Sequence, residues 1–130
     1  MRDEDIYDLF TEALDVTNRA LDANRDSASY GMLISGMDKY LDGHKAAVAV
    51  YDDDPQEPFD YFTVRYLNGK FEILARGKSE HDTEWRVSRE YLDSVARNPD
   101  EYIEHPARLD IDWLRHLLPD SVNTLLKKAG

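Results

Sequence analysis

The sequence predicts an α+β protein with two N-terminal helices, a mostly antiparallel sheet of four or five strands, and C-terminal helices packed on one face of the sheet. Three observations support this fold class. Apolar residues recur at helical spacing up to Leu41, strand-like runs follow around an Asn68-Gly69 turn, and helical spacing returns after Ser88. The 130 residues suit one domain, with the helix pair at 1–45 and the sheet and C-terminal helices at 46–128.

The first helix is predicted from the eight apolar or small residues that recur between Ile6 and Leu21, with acidic and polar residues on its other side. The second helix carries a shorter apolar stripe from Tyr30 to Leu41. Gly43 fits the left-handed position just after its end, because glycine has no Cβ that would clash there.

The central strands are predicted from one buried run and one hairpin. Ala46 to Tyr51 is nearly all apolar and short, which is typical of a strand buried on both faces. The following segment, Asp52 to Asp60, holds two prolines and a run of carboxylates and is predicted to be an exposed loop.

The hairpin is closed by Asn68-Gly69, because both residues tolerate the positive φ angles of a two-residue type I′ turn. This turn fixes the register, since a shift of one residue would mix the two faces. The predicted cross-strand pairs are Tyr66 with Phe71, Val64 with Ile73, Phe62 with Ala75 and Arg65 with Glu72.

Alternation over Thr83 to Ser88 predicts a third antiparallel strand, and Ser88 is placed to cap a short helix. Asn98-Pro99 predicts another helix start, and Pro106 ends that helix. Alternation over Ala107 to Ile111 predicts a last brief strand. Further helices are predicted from Asp112 onward.

Composition and charge argue against several classes of partner and location. With 27 acidic and 16 basic residues the net charge is −11, which argues against nucleic acid as a partner and permits a basic protein partner. The chain has no cysteine, its start lacks the apolar core of a signal peptide, and no apolar run is long enough for membrane insertion. We therefore expect a cytoplasmic protein, with the acidity serving solubility or partner binding.

No motif indicates a reaction. The four histidines lack metal-ligand spacing, and the sequence contains no phosphate-binding glycine loop or nucleophile elbow. The carboxylate loop at 52–60 lacks the glycine and the final glutamate of a calcium-binding EF-hand loop. We expect no enzyme, no cofactor and no metal site.

Four segments together resemble the sterol carrier protein 2-like domain. They are the turn Asn68-Gly69-Lys70, the strand-to-helix run Arg86 to Leu92, the proline-containing helical turn Asn98 to Ile103, and Ala107 to Ile111 followed by Trp113 and the C-terminal helix. The resemblance covers about residues 46–126. Two glycine-containing pairs of the family are replaced here by Pro106-Ala107 and Ile111-Asp112.

The resemblance implies a non-catalytic carrier or accessory protein that holds an apolar ligand, such as a lipid or isoprenoid, in a cavity. The cavity would lie between the hairpin face and the C-terminal helices. The predicted ligand-binding residues are Phe62, Val64, Tyr66, Phe71, Ile73, Trp85, Leu114, Leu117, Val122 and Leu125. The alternative is an acidic protein-binding module, such as an inhibitor, immunity-type protein or adaptor, with a packed core and no small-molecule ligand. Neither hypothesis fixes the oligomeric state.

Overall fold

The computed structural model describes residues 6–27, 30–109 and 118. Within them the chain forms helices and a four-stranded mixed sheet, which confirms the α+β class. The elements are α1 (Ile6–Ala23), α2 (Gly31–Tyr40), β1 (Lys45–Tyr51), β2 (Asp60–Leu67), β3 (Lys70–Arg76), β4 (Thr83–Ser88), α3 (Arg89–Arg97), α4 (Pro99–Glu104) and a 3₁₀ turn (Pro106–Arg108).

One face of the sheet, called here the inner face, lies against the helices. Val48, Val64 and Trp85 belong to a single buried apolar cluster that also contains Phe10 of α1 and Met37 of α2. The predicted apolar stripe of α1 is buried as expected, apart from Ile6, which is partly buried. Helical periodicity therefore identified the side of α1 that enters the core.

The hairpin register is confirmed over its first pairs. Asn68 and Gly69 both have positive φ, and Tyr66 pairs with Phe71, Val64 with Ile73 and Arg65 with Glu72. The predicted pairing of Phe62 with Ala75 is wrong: Phe62 pairs with Arg76 and Thr63 pairs with Ala75. The cause is a bulge in β3 at Leu74, which adds one residue to that strand and shifts every later pair.

The prediction of β4 as a third antiparallel strand is also wrong. The strand order is β3-β2-β1-β4, and β4 pairs in parallel with β1 at the opposite edge from β3. Residues 77–82, the crossover loop, therefore pass over β2 and β1. Three strand spacings amount to roughly 14 Å, and six extended residues span up to about 20 Å, so a short loop can make this crossing.

The crossover loop runs over the other face of the sheet, called the outer face. The hydroxyl of Thr63 donates to the carbonyl of Gly77 at 2.8 Å and accepts from the backbone N–H of Ser79 at 3.0 Å. Thr63, Ala47 and Ala49 are completely or almost completely buried on this face. Their small side chains leave room for the loop backbone to lie close to the sheet.

The predicted helix after Ser88 is confirmed. The prediction of a strand over Ala107 to Ile111 is wrong for its first residues, which belong to a 3₁₀ turn. The hydroxyl of Ser88 caps α3 by accepting the backbone N–H of Tyr91 at 3.0 Å. Residues 106–108 form a 3₁₀ turn, because the fixed φ of Pro106 suits the first position of a helical turn and the N–H of Leu109 donates back to its carbonyl. The rest of that predicted strand and the predicted helices beyond it lie outside the described residues.

Candidate functional site

The residues predicted to bind an apolar ligand lie on the inner face. Phe62, Val64 and Tyr66 are at most 1% exposed, and Phe71 and Trp85 are also buried. Ile73 is partly buried and packs against the same cluster. The sheet thus brings all six of the described candidates to one face.

Residues of α1, α2 and α3 belong to the buried cluster on this face, and α1 supplies the ring that stacks on Phe62. The ring of Phe10 stacks on Phe62, with 4.4 Å between ring centroids and 4° between ring planes. Tyr66 and Phe71 meet edge to face at 5.0 Å. The predicted opposite wall, Leu114, Leu117, Val122 and Leu125, lies outside the described residues, so that part of the hypothesis stays a prediction. Leu118 is buried in the same cluster.

A second candidate is the connection between β1 and β2, residues 52–59, called here the acidic loop. Two arginines, Arg86 of β4 and Arg89 at the start of α3, contact this loop. Arg89 Nε lies 3.0 Å from Asp52 Oδ1, and its guanidinium carbon lies 4.6 Å from the centroid of the Phe59 ring. Arg86 Nη1 donates to the carbonyl of Pro55 at 3.3 Å. The loop is therefore tied at its beginning, middle and end.

The acidic loop is also organised from within. The side-chain carboxylate of Asp54 accepts the backbone N–H of Gln56 at 2.9 Å, and the backbone carbonyl of Asp54 accepts the N–H of Glu57 at 2.9 Å. Such a turn lets an aspartate replace backbone partners in a loop. Asp53, Asp54 and Glu57 are exposed and form no ion pair with the described residues. Three carboxylates are thus presented beside Phe59, which is 42% exposed.

A third candidate is a cleft of about 610 Å³ around the tip of the hairpin, called the hairpin cleft. Its base is a hydrogen-bonded network centred on Arg25. Arg25 donates to Asp38 Oδ2 at 2.7 Å and to the carbonyl of Gly69 at 2.8 Å. The Tyr66 hydroxyl donates to the other oxygen of Asp38 at 2.6 Å. The network joins the end of α1, α2 and the hairpin.

Burial and the hydrogen bond to Asp38 raise the pKa of Tyr66, because both disfavour a phenolate at this position. The hydrogen bond to the Asp38 carboxylate likewise raises the pKa of Arg25. Both shifts favour the protonated donors that the network uses. Tyr66 and Arg25 therefore keep the protons that they donate to Asp38.

Asn18 fixes the neighbouring wall of the hairpin cleft. Its side-chain oxygen accepts the backbone N–H of Phe71 at 2.7 Å, and its side-chain nitrogen donates to the Phe71 carbonyl at 2.9 Å. One amide side chain thus satisfies both backbone groups that Phe71 presents at the β3 edge. A second strand is blocked from pairing there.

A group made of His44, Asp82 and Thr83 joins the beginnings of β1 and β4. His44 Nε2 lies 3.0 Å from Thr83 Oγ1, and His44 Nδ1 lies 3.8 Å from Asp82 Oδ2. The order of groups resembles a hydroxyl–histidine–carboxylate triad, but the same Asp82 oxygen accepts the backbone N–H of Lys45 at 3.0 Å. These contacts hold the two strands in register.

Sequence reasoning missed the Arg25 network and the role of Asn18. Arg25 acts through Asp38 and Gly69, which are far from it in sequence, and no spacing pattern connects them. Asn18 was grouped with the polar residues on the other side of α1, and its position in the sequence does not indicate the contact with Phe71. Such contacts depend on how the elements pack.

Among the described residues no group of three or more histidine, aspartate or glutamate side chains is placed to hold a metal ion. None of the described helices has the length and apolar character that a membrane span requires. Comparisons with protein-family models, with curated proteins and with solved structures each found no match. Function is therefore inferred from the geometry and charge of the described residues.

Proposed function

We propose that this chain is a non-catalytic, acidic protein-binding module that contacts a basic protein partner through the acidic loop. One observation carries the proposal. The loop is held in a fixed shape by Arg86 and Arg89 of its own chain, while Asp53, Asp54 and Glu57 remain exposed and outside any ion pair of the described residues.

Preorganisation favours binding because a loop that is already ordered loses less conformational entropy when a partner arrives. The net charge of −11 would steer a basic partner toward the molecule and raise the association rate at low salt. Phe59 adds an exposed aromatic surface beside the carboxylates, and aromatic residues are enriched where interfaces gain most of their energy.

The chemistry of the loop favours arginine over lysine in the partner. Arg89 already places a guanidinium over the Phe59 ring and against the Asp52 carboxylate. A planar guanidinium can stack on an aromatic ring and donate two hydrogen bonds to a carboxylate, whereas an ammonium group acts as a point charge.

The packed inner face supports this proposal over the apolar-carrier hypothesis. A carrier needs an unfilled apolar cavity, whereas Phe62 is stacked on Phe10 and Val64 and Tyr66 are buried in the same cluster. Lipid binding remains a prediction, which titration with fluorescent fatty-acid probes can measure.

The proposal is tested by titrating a short arginine-rich peptide into the protein at low salt, with calorimetry for affinity and amide chemical shifts for location. The loop variant D53N/D54N/E57Q should weaken binding about tenfold or more, and the largest shifts in the parent should fall within residues 52–59. The lysine-rich version of the peptide should bind less tightly.

The matched control is D26N/D100N/E104Q, which removes the same number of charges from exposed positions on other elements. It should change the affinity by no more than about twofold, because distant surface charges are largely screened. Equal weakening by both triple variants would mean that the peptide senses net charge alone, and the proposed site would be rejected.

A further inference from the structure

The hairpin cleft lies at the opposite end of the sheet from the acidic loop. Lys45 at the start of β1 pairs with Arg65 near the hairpin turn, whereas the acidic loop follows the end of β1. The cleft is therefore a separate surface, and what it could hold does not depend on the proposed protein partner. Its volume of about 610 Å³ falls within the range of small-molecule sites, roughly 300–1,000 Å³.

The groups at the base of the cleft are already used by the protein. Arg25 and Asp38 neutralise each other, and Asn18 is committed to the backbone of Phe71. Ligand binding by these groups would break contacts that hold α1 to the hairpin. The base is therefore a rigid, electrically balanced support.

The rim of the cleft carries charges with spare hydrogen-bonding capacity. Two are cations: Lys70 forms no ion pair with the described residues, and Arg19 has only a long 3.9 Å contact with Asp15. Two are anions: Asp22 lies 3.6 Å from Arg25 Nε, and Asp42 accepts the backbone N–H of Asn68 at 3.1 Å through one oxygen.

Two cations and two anions around one cleft select for a ligand that carries both charges. A purely anionic ligand would meet the two carboxylates, and a purely cationic ligand would meet Arg19 and Lys70. We propose that the hairpin cleft binds a small zwitterion of the amino-acid class, with its carboxylate toward Arg19 and Lys70 and its ammonium toward Asp22 and Asp42. Free amino acids and the unblocked ends of short peptides share this chemistry.

The first test uses the unmodified protein. Pools of the standard L-amino acids and of unblocked dipeptides are titrated while amide chemical shifts are recorded, and binders are measured by calorimetry. The proposal predicts binding at millimolar concentration or below, with shifts at residues 68–70. N-acetylation or carboxamide formation should each weaken a binder about tenfold or more, because each removes one charge. Tighter binding of dipeptides or of free amino acids identifies which source the cleft prefers.

The second test compares two variants with the same change of charge. R19Q/K70Q should reduce the affinity about tenfold or more, while R97Q/R108Q, on α3 and the 3₁₀ turn, should leave it within about twofold. All four positions are exposed, so melting temperatures should stay close to the parent. Absence of binding from every pool, binding that survives both blocked ends, or equal loss in the two variants would each overturn the proposal.

Discussion

Phe62 and Thr63 are adjacent in β2, both are completely buried, and they face opposite sides of the sheet. Phe62 enters the inner face, where the large ring of Phe10 stacks on it. Thr63 enters the outer face, where its hydroxyl holds the crossover loop. One face is thus closed by apolar side chains from the helices, and the other by loop backbone lying on small residues.

The comparison shows why burial alone says little about how a face is stabilised. On the inner face, removal of apolar surface from water supplies most of the stabilisation. On the outer face, the buried alanines leave room for the loop, and the Thr63 hydroxyl avoids the cost of desolvation because it is hydrogen-bonded to the loop backbone. The two faces should therefore respond to different kinds of substitution.

The largest effect is expected on the inner face. Phe62→Ala should destabilise the fold by about 3–5 kcal/mol, because it removes a fully buried ring and leaves a cavity beneath Phe10. The exposed Phe59→Ala is the control and should cost about 1 kcal/mol or less. Urea unfolding measures both. A cost below about 1 kcal/mol for Phe62→Ala would show that the inner face is loosely packed.

On the outer face, Thr63→Val keeps the shape of the side chain but removes the hydroxyl. The Ser79 N–H and the Gly77 carbonyl would each lose a partner, so we expect a cost of about 1–3 kcal/mol. Hydrogen exchange at the Ser79 amide should also become faster. Thr63→Ser, which keeps the hydroxyl, should retain the slow exchange. Unchanged stability and exchange in Thr63→Val would mean that the crossover loop does not depend on this residue.

The inner-face pattern could be predicted from sequence, whereas the outer-face arrangement could not. Alternation and the Asn68-Gly69 turn correctly placed Val64 opposite Ile73. The bulge at Leu74 was hidden because an extra residue leaves no local signal, yet it sets the small Ala75, rather than Leu74, opposite Thr63. The direction of β4 was missed because two parallel strands are usually joined by a crossover of about a dozen residues or more, so a short connection favours an antiparallel neighbour.

The candidate sites, too, could be predicted from the sequence only in part. Composition identified the acidic loop, since prolines and carboxylates mark an exposed connection. The arginines that order it, Arg86 and Arg89, were visible only once β4 lay beside β1. The hairpin cleft escaped notice because its walls come from α1, α2 and the turn, which are distant in sequence.

Alanine variants of two glycines with positive φ can distinguish the cost of backbone strain from the stability that the Arg25 network contributes. A Cβ at Gly69 would clash with Arg25 Nη2, whereas a Cβ at Gly43 would meet nothing within 4 Å. Both Gly→Ala variants should lose about 1 kcal/mol from strain. Gly69→Ala should lose about a further 1–2 kcal/mol because Arg25 must move from its partners. Equal melting temperatures for the two variants would contradict a stabilising role for the network.

Removal of the Tyr66 hydroxyl should cause the smallest loss of folding stability among these variants, and this loss should depend on pH. Its pKa is raised in the folded state, so its contribution is complete below the unfolded-state pKa of about 10 and is lost as the pH rises above that value toward the folded-state pKa. Tyr66→Phe should cost about 1 kcal/mol at neutral pH through loss of the bond to Asp38. It should also flatten the decrease in stability above pH 10, as measured by urea unfolding across pH. An unchanged alkaline profile would contradict this assignment.

The most direct test of a packed inner face, and so of a binding module rather than a carrier, is to titrate fluorescent fatty-acid probes into the parent and into Val64→Trp, and to measure the unfolding of both. A packed face predicts no probe binding by the parent and a loss of about 1–3 kcal/mol in the variant, because the larger ring overpacks a filled core. Saturable probe binding by the parent that is abolished in a variant of unchanged stability would contradict the account and establish an apolar ligand cavity.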